Sequence, residues 1–141
     1  EHASWRQMRA YATLAGVRRH CACRLNSSVR RHEMNFRDLE QAALQLNDLY
    51  EQLEVKRWGR VWTTQELALG FMGDVGDLAK LVQAHAGVRT IDEHQAKLGH
   101  ELSDCLWSIM VLANKCGVDL EAEFVRNTRE ISEYVSDELA K

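Results

Sequence analysis

The sequence predicts an all-α protein, a four-helix bundle, and three observations carry the prediction. Its 141 residues include no Pro and only a few clusters of Gly, so nothing in the composition forces frequent turns. Apolar residues recur at steps of three and four, the period of a helix buried on one face. The breaks between these periodic stretches coincide with helix start and stop residues. A chain of this length makes one domain with a sizeable core.

Each element can be justified in order. From Asn35, the residues Phe36, Leu39, Ala43, Leu46, Leu49, Tyr50 and Leu53 follow helical steps and give a first helix over about 36–56. The run Trp58-Gly59-Arg60-Val61-Trp62 interrupts it. Thr63 or Thr64 caps a second helix, with Gln65 and Glu66 in its first turn, and that helix runs to about Ala86, where Gly87 stops it. A third helix spans about 93–115 and is apolar almost all round at 105–113, as expected of a helix covered on several sides. Cys116-Gly117-Val118 ends it, Asp119 caps a fourth helix, and that helix continues toward Glu138. Gly70, Gly73 and Gly76 recur every three residues in the second helix, at roughly 1 kcal/mol each. Close approach of another helix or a ligand would offset that cost.

The net charge of −3 conceals an asymmetry. Residues 1–33 hold seven Arg (6, 9, 18, 19, 24, 30 and 31) against Glu1 and Glu33, a balance of +5, which leaves −8 on residues 34–141. Residues 1–33 therefore read as a basic N-terminal extension outside the catalytic core. An upstream extension, an Arg-rich organellar transit peptide and a basic nucleic-acid arm all fit that composition. The −8 balance of the remainder argues against nucleic acid as the main partner. No apolar run approaches the roughly 20 residues that span a bilayer. Cys105 and Cys116 lie in apolar helical sequence and read as core residues of a reducing, cytoplasmic compartment. His20, Cys21 and Cys23 have zinc-ligand chemistry but no second ligand pair at zinc-site spacing.

The most informative residues are two acid pairs, Asp74/Asp77 and Glu101/Asp104, each spaced i, i+3 so that both carboxylates leave one side of a helix. Leu67, Phe71, Val75, Leu78, Leu81 and Val82 flank the first pair, and the second lies within Leu102–Leu112. At about 100° per residue Asp74 falls between Leu67 and Leu81, inside the apolar stripe. A lone carboxylate there is costly to desolvate. Four carboxylates on two facing helices make sense around a divalent cation, and an all-oxygen set suits Mg²⁺, with Mn²⁺ as a substitute. A carboxylate-bridged di-iron site would need Glu-x-x-His pairs, and the fourth residue here is Asp both times. The implied chemistry is metal-assisted attack of water on a phosphoanhydride.

The stretches Phe71-Met-Gly-Asp-Val-Gly-Asp-Leu-Ala-Lys-Leu-Val82, Gly99-His-Glu-Leu-Ser-Asp-Cys-Leu-Trp107 and Gly117-Val-Asp-Leu-Glu121 resemble the MazG-type all-α nucleoside triphosphate pyrophosphohydrolases, the family of the dCTP pyrophosphatases. Its signature is Glu-x-x-Glu, a spacer and Glu-x-x-Asp; here the spacer is the 23 residues 78–100. The likeness covers about residues 36–130. It implies a catalytic domain over 34–141 that forms a homodimer or dimer-based homotetramer. It also implies Mg²⁺-dependent cleavage of a (deoxy)nucleoside triphosphate to monophosphate and pyrophosphate. Asp74, Asp77, Glu101 and Asp104 would be the metal ligands, with Asp74 or Glu101 also polarising the attacking water. A phosphoribosyl-ATP pyrophosphatase, a dUTP/dUDP hydrolase of the same fold, or a degenerate nucleotide- or partner-binding helical dimer are the alternatives.

Two departures from the family pattern stand out. The first pair carries Asp at both places where the family prefers Glu, so a cation must sit nearer the helix backbone. The Lys and Asn of the family's last helix are not in register here: Asn127 and Ile131 occupy those places, which passes phosphate contacts to Arg126 or Arg129. Trp58 and Trp62 precede the metal helix where such enzymes place base-contacting side chains, and base–aromatic stacking contributes roughly 1–3 kcal/mol. Packing at the bundle end is the competing role, favoured for Trp58 and evenly matched for Trp62. Trp107 walls the pocket or fills the core. Glu66 reads as a solvated helix start ahead of a metal ligand, and Lys80 and Lys97 as surface residues.

Overall fold

The computed structural model describes residues 34–141, and these form four helices: α1 (Phe36–Trp58), α2 (Thr64–His85), α3 (His94–Lys115) and α4 (Leu120–Leu139). Asn35–Lys141 make one compact unit. The readings placed on residues 1–33, including His20, Cys21 and Cys23, lie outside the described residues. Among the described residues no helix is long and apolar enough to cross a membrane.

Local chemistry explains the helix ends. Asn35 caps α1 through a reciprocal box in which its side chain accepts from the Asp38 N–H while Asp38 accepts from the Asn35 N–H. Thr63 and Glu66 make the same box at the start of α2, and the Asp119 side chain accepts from the Ala122 N–H at the start of α4. Gly59 closes α1 at φ 74° and Gly117 follows α3 at φ 69°, left-handed conformations that a Cβ disfavours. Glu93, at φ 53°, precedes α3 and gives it no side-chain cap.

The core lies between α2 and α3, which form an antiparallel hairpin across residues 86–93, with the His85 and His94 rings 6.1 Å apart at its closed end. Leu67, Leu81 and Ala84 of α2 and Cys105, Met110 and Val111 of α3 are buried, Val111 almost completely. The heptad step Leu67–Asp74–Leu81 holds: both leucines are buried and Asp74 between them is half-buried.

Helix α1 packs on α3 through Trp107, whose indole N–H donates to the Ala43 carbonyl at 3.0 Å and whose ring meets Tyr50 edge-on at 5.6 Å. Its inner face also buries two polar residues, Asn47 and Glu54. Asn47 Nδ2 and Lys115 Nζ both donate to Glu51 Oε1, at 2.9 and 2.6 Å. Lys115 and Asn47 therefore hold the Glu51 carboxyl below its usual range.

Four expectations change. Leu39, Leu46 and Leu49 lie on the apolar stripe of α1 yet are exposed, because α1 meets the body mainly through the Ala43–Glu54 line. Helix α3 is not covered all round: Leu102, Leu106 and Ile109 face outward. Cys116 is an exposed cap residue rather than core, placed there by the turn that ends α3. Among the described residues, no atom beyond their own helix lies within 4 Å of a Cβ built at Gly73 or Gly76, so close approach there does not account for them.

Candidate functional site

The hairpin sets both acid pairs at one height. Counting from its closed end at about 1.5 Å per residue, Asp77 and Glu101 lie roughly 12 and 10 Å along, and Asp74 and Asp104 roughly 16 and 15 Å. All four are half-buried. Glu101 Oε2 and Asp104 Oδ2 are sealed from solvent, unusual for carboxylate oxygens, which lose more by desolvation than any other common acceptor. The sequence-predicted pairs thus lie at matching heights on two packed helices.

Among the described residues, Asp77 and Asp104 each have a basic side chain beside them. Lys80 Nζ donates to Asp77 Oδ1 at 2.9 Å, and His100 Nε2 lies 3.1 Å from Asp104 Oδ2. Both partners sit one turn along the same helix, within reach of a short Asp side chain. Among the described residues, no three His, Cys, Asp or Glu groups are arranged to hold a metal ion. The four carboxylates match Mg²⁺ in donor type alone. The side chains themselves are not gathered into a coordination shell, since Asp77 and Asp104 engage neighbours on their own helices. Lys80 bears on the acid pair directly, whereas Lys97 donates to the Asp92 carbonyl at 2.7 Å and remains a surface residue.

The aromatic candidates separate by position. Trp58 ends α1 and is exposed, against the expectation that it closes the bundle end. Trp62 is half-buried in the turn ahead of α2. Trp107 is committed to α1 through its indole N–H and its ring, which favours the core role. On α4, Arg126 pairs along its own helix with Glu123 and Glu130, and Arg129 reaches Glu133 in the same way. These arginines are held by neighbours on their own helix, where i, i+3 and i, i+4 spacing brings them together.

Glu66 is absorbed by the helix start, as expected. It accepts from both terminal nitrogens of Arg60 at 2.8 and 2.6 Å and from the Thr63 N–H at 2.9 Å, and these bonds lower its carboxyl to about 2. The residue missed in the sequence is Glu54. It is 3% exposed, and its Oε2 accepts the Trp62 main-chain N–H at 2.8 Å. The signal was present: Ala43, Asn47, Tyr50 and Glu54 step by four, three and four, which places Glu54 on the inner line of α1. Asp74 stands out within its helix by the same rule.

A second ion-pair group joins α1 to α4. Arg37 donates to both carboxylate oxygens of Asp119, at 2.8 and 2.9 Å, and its Nε lies 2.5 Å from Glu121. Asp119 is thus the cap of α4 and the acceptor, through both its oxygens, of the Arg37 Nη2 group; the Ala122 N–H and then Arg37 hold its carboxyl below its ordinary value.

No protein-family model matches the chain, and no curated protein matches it.

Proposed function

We propose that this protein is a Mg²⁺-dependent pyrophosphohydrolase that converts a (deoxy)nucleoside triphosphate to its monophosphate and pyrophosphate, as a homo-oligomeric housekeeping enzyme of the cytoplasm. One observation carries the reading: two acid pairs at one height on a packed antiparallel hairpin, with Glu101 Oε2 and Asp104 Oδ2 withdrawn from water. Buried carboxylates on facing helices are a poor way to stabilise a fold and a good way to bind a cation. The sequence motif points to the same chemistry.

Asp74, Asp77, Glu101 and Asp104 would hold the ion, which supplies charge neutralisation on the phosphate oxygens. The chain's own part is to place and polarise water. A carboxylate oxygen of Asp74 or Glu101 accepts a hydrogen bond from that water and takes its proton. The water oxygen forms a bond to the α-phosphorus while the bond to the α–β bridging oxygen breaks, and pyrophosphate leaves with the bridging electrons. Trp62, and the exposed Trp58 beside the same turn, are the base-contacting candidates.

Substituting Glu101→Gln tests the assignment, because it removes a carboxylate while keeping size and helix propensity. Turnover should vanish with the thermal midpoint little changed; retained turnover would sink the role of Glu101. Phosphoribosyl-ATP and dUTP or dUDP belong in the same substrate panel, since enzymes of this fold also act on them. The second reading, a degenerate nucleotide- or partner-binding helical dimer, is favoured by the pairing of Asp77 with Lys80 and of Asp104 with His100. Mg²⁺-dependent thermal stabilisation without turnover of any nucleotide would select it.

A further inference from the structure

The turn between α1 and α2, residues 59–63, is held by two carboxylates, one from each flanking helix. Glu66 takes Arg60 and the Thr63 N–H. Glu54 takes the Trp62 N–H. The two anchors are not equivalent. The Arg60 and Thr63 bonds to Glu66 are exposed, where water can replace either partner. Glu54 is 3% exposed and accepts from a main-chain donor eight residues further along the chain. A buried or partly buried N–H needs a partner, and no water competes easily at this acceptor.

An acid is an expensive choice for that task. Burial pushes the Glu54 carboxyl up, and the Trp62 N–H pulls it back toward ionisation. Apolar residues would fill the same space on α1 without that cost, but none could bind the Trp62 amide. The arrangement sets the main chain of one residue, and that residue carries a half-buried indole.

We propose that Glu54 is a positioning residue for base recognition: by accepting the Trp62 main-chain N–H it fixes the turn from which Trp62 meets the nucleotide base. This rests on the pyrophosphohydrolase reading and on Trp62 as the base-contacting aromatic. Glu54 itself touches neither substrate nor metal.

The test compares wild type with Glu54→Ala, Glu54→Gln, Trp62→Ala and the Glu54→Ala/Trp62→Ala double variant on the four deoxynucleoside triphosphates. Glu54→Ala should raise KM for the preferred nucleotide about tenfold, within what one base–aromatic stack contributes. It should leave kcat within about twofold and narrow the spread between best and worst base. Glu54→Gln keeps an oxygen acceptor and should stay near wild type. The double variant should be no worse than Trp62→Ala, because both changes remove one function. A uniform loss in kcat across all four nucleotides, or additive losses in the double variant, would overturn the proposal. Amide hydrogen exchange separates this inference from the enzyme assignment. Wild type and Glu54→Gln should protect the Trp62 N–H and Glu54→Ala should not, whether or not any nucleotide is cleaved. Absence of pyrophosphate release with that protection pattern intact would count against the enzyme reading alone. An unprotected Trp62 N–H in wild type would overturn the role of Glu54.

Discussion

The α2–α3 hairpin and α4 are both regular helical segments with apolar residues at helical spacing, yet the chain buries the first and leaves the second open. The hairpin encloses Leu67, Leu81, Met110 and Val111 and carries four half-buried acids. Helix α4 has no buried residue, and Phe124, Val125, Ile131, Tyr134 and Leu139 stand exposed along it. Among the described residues, its ion pairs to another helix are those of Arg37 with Asp119 and Glu121 at its start. An amphipathic sequence fixes which face of a helix wants cover; only a tertiary partner supplies it. The homo-oligomer in the proposed function would cover α4 and the outward leucines of α3.

The largest effect is expected at the acids. Glu101→Gln should abolish the proposed turnover and leave circular dichroism and the melting midpoint close to wild type, because the hairpin is held by its apolar residues. Next comes packing. Met110→Ala removes a side chain only 2% exposed and should cost about 2–5 kcal/mol in denaturant titration. Phe124→Ala, at 68% exposure, should cost no more than about 0.5 kcal/mol in the dissociated protomer. In an assembled sample, Phe124→Ala should shift the association equilibrium seen by analytical ultracentrifugation. Equal costs for the two substitutions at low concentration would erase the distinction between closed and open halves.

A smaller effect is expected at the start of the hairpin. Thr63→Ala removes one half of the α2 capping box and should cost about 1 kcal/mol in the same titration. The corresponding device on α4 is tested by pH. The folded Asp119 carboxyl lies below its ordinary 3.8, so its contribution is complete above that value and is lost as pH falls through the depressed one. Amide protection in the first turn of α4 should therefore drop on acidification below about pH 3.8. Asp119→Asn, which cannot titrate, should lose that step; an unchanged acid profile in the variant would show that Asp119 does not anchor α4.

Much of this architecture was legible in the sequence because helix signals are local. Thr63 with Glu66, Asp119, and Gly87 at φ 74° each mark an end through their own backbone chemistry. The acid pairs were legible for a related reason: i, i+3 spacing inside an apolar stripe fixes where a carboxylate leaves its helix. What local reading cannot reach is the partner. Leu49 matches the stripe of α1 and is 62% exposed, while Glu54, which breaks the apolar pattern, is buried. Nothing near Glu54 in sequence announces the Trp62 N–H eight residues away. Nor does spacing fix side-chain direction, so the turn of Asp77 toward Lys80 and of Asp104 toward His100 emerged only in three dimensions.

The four acids of the hairpin are proposed to make a phosphoanhydride-cleaving site. The most direct measurement is pyrophosphate release from the ribo- and deoxyribonucleoside triphosphates, with and without Mg²⁺, for wild type and Asp104→Asn. Mg²⁺-dependent release by wild type and none by the variant is expected, with both proteins folded. Release that persists in Asp104→Asn, or no release from any triphosphate by folded, Mg²⁺-loaded wild type, would contradict it.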